Sequence, residues 1–216
     1  MVSFKHNYIF VHIPKCAGTS IEQALIKNED KPLDFDKLLL PNNKGIPSSH
    51  KAFKEYYEVP QHYTLQTIHD ILCDQGHLDF FNQAFIFAVV RNPLDRIRSS
   101  SSYLTKTFKT QYNIASLLHH KNIGNHRFDL NQYDWLTVNK KLKVNKIIHF
   151  ENLSEGLNFV SNKLSLSIDL PKHKFESSGG DFSVNDSPRV QTLVYNKYIK
   201  DYKEFNYEHP VKVSSL

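Results

Sequence analysis

The chain has 216 residues, 40% of them hydrophobic and 23% charged, which is enough apolar material for one packed core. Its 27 Lys and Arg against 22 Asp and Glu give a formal net charge of +5, a balance that suits an anionic ligand as well as nucleic acid and does not choose between them. The longest apolar run is the seven residues from Ala84 to Val90, far short of the roughly twenty that a membrane-spanning helix needs, and two cysteines, Cys16 and Cys73, are too few for a disulfide scaffold.

At the start of the chain, Lys5 and His6 precede a short apolar strand with no small-residue cleavage site. That pattern is not a secretory signal, and the expectation is a cytoplasmic protein. Tyr8 to Ile13 is a β-branched and aromatic run that stops at Pro14, the pattern of a strand buried on both faces in a parallel sheet. Lys15-Cys16-Ala17-Gly18-Thr19-Ser20 follows, then Ile21, Ala24 and Leu25 at helical spacing, so the unit is strand, tight loop and helix N-terminus. Residues 28–49, rich in Lys, Asp, Asn and Pro, lack periodicity and are expected to form a variable substrate or lid loop.

The same device recurs further on. Ala84 to Val90 reads as a second buried strand, Arg91-Asn92-Pro93 as its polar loop, and Leu94 to about Lys106 as the helix after it. Lys146 to Phe150 is a third strand, ahead of Glu151-Asn152 and a helix carrying Leu157, Val160 and Leu164 on one face. Gly179 and Gly180 mark a late loop, and Val190 to Tyr202 returns to a helical pattern. Strands alternating with helices predict an α/β fold: a single three-layer domain over residues 1–216 around a central parallel sheet.

Ligands of such sheets sit at the carboxyl ends of the strands, where helix N-termini offer unpaired N–H groups. Lys15 to Ser20 combines an ammonium, a glycine and two hydroxyls at such an end, a set that suits phosphate or sulfate. The loop is P-loop-like without being a Walker A motif, because its lysine precedes the glycine and no Gly-Lys pair follows. Arg91 and Ser99, eight residues apart, are placed to meet a second phosphate.

Phe10 to Ser20 together with Val90 to Ser99 resembles the carbohydrate sulfotransferases that use 3′-phosphoadenosine-5′-phosphosulfate (PAPS), in the branch that includes the heparan 2-O-sulfotransferases. Weaker likeness extends through Phe150 to Leu153, Leu170-Pro171, and Tyr198 to Tyr207. The resemblance implies a PAPS-dependent sulfotransferase acting on a hydroxyl of a saccharide or glycoconjugate, with adenosine 3′,5′-bisphosphate as by-product and no metal required. It assigns Lys15, Cys16, Ala17, Gly18, Thr19 and Ser20 to the 5′-phosphosulfate loop, Arg91 and Ser99 to the 3′-phosphate site, and Ser177 to Asp181 to a loop closing over the nucleotide.

Within that reading Lys15 is the catalytic cation and His50, at an apparent helix start in Ser48 to Phe53, is the base that takes the acceptor proton. His62, His69 and His77 are alternatives to it, and His12 reads as a core residue bracing the loop. His119, His120 and His126 have no second cluster at metal spacing, so no metal is expected. Gln132 to Trp135 is either an aromatic platform for a sugar ring or core. Glu151 and Asn152 either reach the nucleotide or cap a helix, and Lys51, Lys54, Arg96 and Arg98 either steer an acidic acceptor or form solvated faces. Two rival classes are a P-loop kinase, disfavoured by the missing Gly-Lys pair, and a basic RNA-binding module, for which no recognition motif is present. No nucleic-acid partner is expected.

Overall fold

The computed structural model describes residues 1–29, 62–123, 126–170 and 187–210. In chain order, β1 (Val2–Ser3) and β2 (Tyr8–Val11) lead into α1 (Gly18–Ile26), then α2 (Leu65–Asp74) and α3 (Leu78–Gln83) precede β3 (Phe85–Val90). Helix α4 (Pro93–Phe108) follows at once, then α5 (Ile114–His119), β4 (Asn122–Ile123), β5 (His126–Arg127), α6 (Gln132–Trp135), β6 (Thr137–Val138) and β7 (Lys141–Leu142). Strand β8 (Lys146–His149) runs through a 3-10 turn at Phe150–Asn152 into α7 (Leu153–Leu164), and α8 (Pro188–Lys197) and α9 (Ile199–Glu204) complete the described chain.

The main sheet has the order β1-β2-β3-β8. Strand β2 is parallel to β3 and β3 to β8, whereas β1 pairs antiparallel with β2, so the sheet is mostly rather than wholly parallel. All four residues of β2 are buried, as are Ile86 to Val90 of β3, which is why both read as unbroken apolar runs. Because these strands are parallel, Val11, Val90 and His149 end on the same side of the sheet. Val90 pairs with His149 while Val11 pairs with Ala88, so the three following loops start within two residues of a common level.

Local chemistry sets the helix starts. Asn92 Oδ1 accepts from the N–H groups of Leu94 and Asp95, and Pro93 occupies the first turn of α4, a cap worth about 1 kcal/mol. Thr64 caps α2, and Ser187 followed by Pro188 starts α8. Two buried clusters hold the helices. One joins β2 and β3 to Ile21 and Leu25 of α1, Leu65 and Leu72 of α2, and Trp135; the other packs Leu94, Ile97 and Leu104 of α4 against Leu117, Val194, Tyr198 and Tyr202. Among the described residues no helix is long and apolar enough to cross a membrane.

Several boundaries differ from the sequence reading. The third strand ends at His149, and the single helix expected over Val190 to Tyr202 is broken at Tyr198. The stretch holding His62, His69 and His77 contains α2 and α3, with Leu65, Ile68 and Leu72 forming the buried face of α2. Of the expected 28–49 loop only Asn28 and Glu29 fall within the described residues, where the Asn28 amide bonds the Ser167 backbone on both sides. The Gly179-Gly180 loop lies outside them.

Candidate functional site

The loop after β2 has an unusual backbone. Lys15 and Ala17 both adopt left-handed conformations, with φ of 67° and 63°, which L-residues seldom occupy and which cluster at ligand clamps. Ala17 is the N-cap of α1 and supplies no side-chain acceptor. The first closed bonds of α1 run from the N–H groups of Ser20 and Ile21 to the Ala17 carbonyl, so the donors of Gly18 and Thr19 precede the first turn and suit an anion. Alternation of left-handed residues with a helix start is also the geometry of a backbone anion nest.

Arg91 joins this loop from the end of β3. Its Nη1 lies 3.4 Å from the Lys15 carbonyl oxygen, and its guanidinium carbon sits 4.2 Å from the centroid of the Phe150 ring. Three successive strand ends therefore meet here. Glu151 braces the junction, since its Oε1 accepts from the Asn92 N–H at 2.9 Å and its Oε2 from the Tyr207 hydroxyl at 3.1 Å. Burial, with Glu151 beside it, pushes the Tyr207 hydroxyl upward from its ordinary pKa, so the phenol stays a donor. The helix-cap reading of this pair does not hold: Glu151 supports the Arg91 loop, and Asn152 makes no side-chain cap of α7.

The Lys15 ammonium lies 4.2 Å from the centroid of the Tyr103 ring, on α4 four residues beyond Ser99, a spacing that puts both on one helix face. Burial lowers the Lys15 pKa to about 8, reinforced by Arg91 and Lys106 and opposed by Cys16. A lysine held in such surroundings gains when an anion arrives. Cys16 is buried, its Sγ 3.3 Å from Gln132 Oε1, and burial raises its thiol to about 12. The thiol thus remains protonated and is not a nucleophile.

His12 lies beneath the loop, fully packed, with Nδ1 3.1 Å from Glu22 Oε2. Its ring occupies the space where a Gly18 side chain would go: a Cβ there would stand 2.0 Å from His12 Cδ2. The glycine is thus required by its own core. Gly18→Ala is expected to lower stability by about 1–3 kcal/mol through overpacking, and a thermal melt that matched the wild type would refute this close approach. His62 Nδ1 lies 3.1 Å from the His12 carbonyl oxygen, with the two rings 4.4 Å apart edge to face.

The remaining sequence candidates divide clearly. Ser99 lies two turns into α4 and is half buried. His50 lies outside the described residues, as do Lys51, Lys54 and Ser177 to Asp181. His69 bonds Asp70 through Nδ1 at 2.9 Å and His77 packs on Phe4. Gln132 and Trp135 are fully buried, which overturns the sugar-platform alternative for both. Arg96 is buried over Tyr198, which removes it from the acceptor-steering reading, and Arg98 pairs with Asp95 at 2.8 Å on the partly exposed face of α4. Among the described residues no group of three or more His, Cys, Asp or Glu is placed to hold a metal ion.

Sequence reasoning missed Tyr103, Asp201 and Tyr207, and it gave Gln132 only as part of a sugar platform or core. A signal existed only for Tyr103, through its helical spacing from Ser99. Compared with known families, residues 1–208 match the model described as the sulfotransferase family. Comparison with curated proteins and with solved structures gives no match.

Proposed function

This chain belongs to the sulfotransferase family, and from that premise we propose that it transfers a sulfuryl group from PAPS to a hydroxyl of a saccharide or glycoconjugate, as in the branch with the heparan 2-O-sulfotransferases. The observation that carries this reading is the contact of Arg91 with the Lys15 carbonyl, which brings two polar loops 76 residues apart to one place. Their donors fit a nucleotide phosphorylated at two positions. The P-loop-like segment Lys15, Cys16, Ala17, Gly18, Thr19 and Ser20 would hold the 5′-phosphosulfate, Cys16 through its backbone, and Arg91 and Ser99 the 3′-phosphate.

In such a transfer Lys15 offsets charge on the leaving phosphate oxygen and a histidine takes the acceptor proton. His50 is the base expected from sequence. His62 is the second reading, favoured by a specific contact: the His12 carbonyl can only accept, so Nδ1 of His62 donates to it and the ring is held beside the loop that carries Lys15. Alanine at the true base is expected to lower turnover about 10²–10⁴-fold with little change in nucleotide affinity. Comparing His50→Ala with His62→Ala decides between them, and full turnover in both would remove a histidine base.

Calorimetric titration with adenosine 3′,5′-bisphosphate, with AMP and ATP in parallel, tests the nucleotide site without the acceptor. Preference for the bisphosphate is expected. Tighter binding of ATP with Mg²⁺ would instead favour a kinase, and binding of none of them would leave the basic RNA-binding reading.

A further inference from the structure

Gln132 uses every hydrogen-bonding position of its side-chain amide on the walls of the candidate site. Its Oε1 accepts from the Arg91 backbone N–H at 2.9 Å and from the Cys16 thiol at 3.3 Å. Its Nε2 donates to the Arg91 carbonyl at 2.8 Å and to Asp201 Oδ2 at 3.3 Å. Two acceptor lone pairs and two N–H donors are thereby matched, and reversing the amide would set N–H against N–H and oxygen against oxygen. Gln132 is itself fully buried. Its position is fixed in turn by Asp201, whose Oδ2 accepts from the Gln132 backbone N–H at 2.8 Å and whose Oδ1 accepts from Tyr133 N–H at 2.9 Å.

This arrangement grips Arg91 by both backbone groups, so its guanidinium is not needed to hold the loop in place. Through Cys16 it grips the other loop at the residue next to Lys15. The direct contact between the loops, Arg91 Nη1 to the Lys15 carbonyl at 3.4 Å, is long and uses the very group a phosphate would draw away. A link that runs from the Arg91 backbone through the buried Gln132 amide to the Cys16 thiol survives that movement.

We propose that Gln132, anchored by Asp201, is a positioning residue that fixes the separation of the two anion-binding loops and so makes the site selective for a nucleotide carrying both a 5′ and a 3′ phosphate. The proposal rests on the nucleotide-binding reading of that site. A ligand with two phosphates on one frame behaves as a bivalent ligand, and its advantage over single phosphates depends on the two sites being held at the matching distance. Loosening the link lowers that advantage and leaves each loop's own donors in place.

The test is calorimetric titration of the wild type, Gln132→Met, Cys16→Ala and Cys16→Ser with adenosine 3′,5′-bisphosphate, AMP and adenosine 3′-monophosphate. In Gln132→Met, which conserves volume, bisphosphate affinity is expected to fall about tenfold or more, while each monophosphate changes less than about twofold. Cys16→Ala, which cuts only the link to the first loop, lowers the bisphosphate preference in the same sense, and Cys16→Ser, which keeps a hydroxyl donor, restores it. An equal fall for all three nucleotides, or an unchanged bisphosphate preference, would overturn the proposal. Should Gln132→Met not fold, the Ala and Ser pair at Cys16 decides by the same criterion. A wild type with no preference for the bisphosphate would overturn the function reading as well, whereas a preference that survives both links being cut would overturn this proposal alone.

Discussion

On the proposed function, Lys15→Ala is expected to lower turnover with PAPS by about 10²–10³-fold, and affinity for the bisphosphate, which lacks the transferred group, is expected to fall by no more than about tenfold. The difference arises because charge on the bridging phosphate oxygen develops only as the bond to sulfur breaks, so an ammonium aimed there contributes most in the transition state. The wild type also carries a pH signature. Burial and Arg91 bring Lys15 down to about 8, and its charged form exists below that value. Thus kcat/KM for PAPS is expected to fall as pH rises through about 8, and Lys15→Arg, whose guanidinium stays charged, is expected to lose that limb. A wild-type profile flat from about pH 7 to about pH 9.5 would remove Lys15 from this role.

The same surroundings set the sign of the stability effect. A lysine whose folded pKa lies below its ordinary value opposes folding at neutral pH, and the opposition fades as pH rises through that folded value. Lys15→Met is therefore expected to raise the melting temperature near neutral pH while abolishing activity, the trade usual at functional sites. A melt that fell instead would mean that the contact with Tyr103 outweighs the burial of the ammonium.

Asp201→Ala is the substitution expected to cost most stability, about 3–5 kcal/mol by urea denaturation. The carboxylate is fully buried, accepts from Gln132 and Tyr133, and faces Arg96, itself buried. Burial raises its pKa, and Arg96 and the donated hydrogen bonds oppose that rise. Removing it takes a favourable negative charge away from buried Arg96 and strands the Gln132 and Tyr133 N–H groups, which is costlier than replacing the whole network by apolar groups. Asp201→Asn keeps an acceptor and is expected to lose less. A change below about 1 kcal/mol in Asp201→Ala would show that other groups take over its bonds.

The strand ends and the loops after them were legible because their signals are local. The run from Tyr8 to Ile13 closed by Pro14, of which β2 keeps only the first four residues, and a β3 run closed by Arg91-Asn92-Pro93, state burial and approximate termination within a dozen letters. The helices around His69 were harder to read. Only one face of α2 is apolar, and its cap, Thr64, follows directly on a stretch without periodicity. Antiparallel β1 contributes two residues, too few for any alternation to register.

What the sequence by itself determined is the layout of donors: a lysine, a glycine and hydroxyls at one strand end, an arginine at the next, on an α/β alternation. Only the tertiary structure decided what holds those donors together. Gln132 reaches Arg91 across 41 residues and Cys16 across 116, and Asp201 reaches Gln132 across 69. It also decided that Trp135 is core and that Glu151 supports a loop. The reason is physical: periodicity reports which face of an element is buried, but a buried polar side chain is identified only by the partners that satisfy it, and here those partners come from chain segments that no local pattern connects.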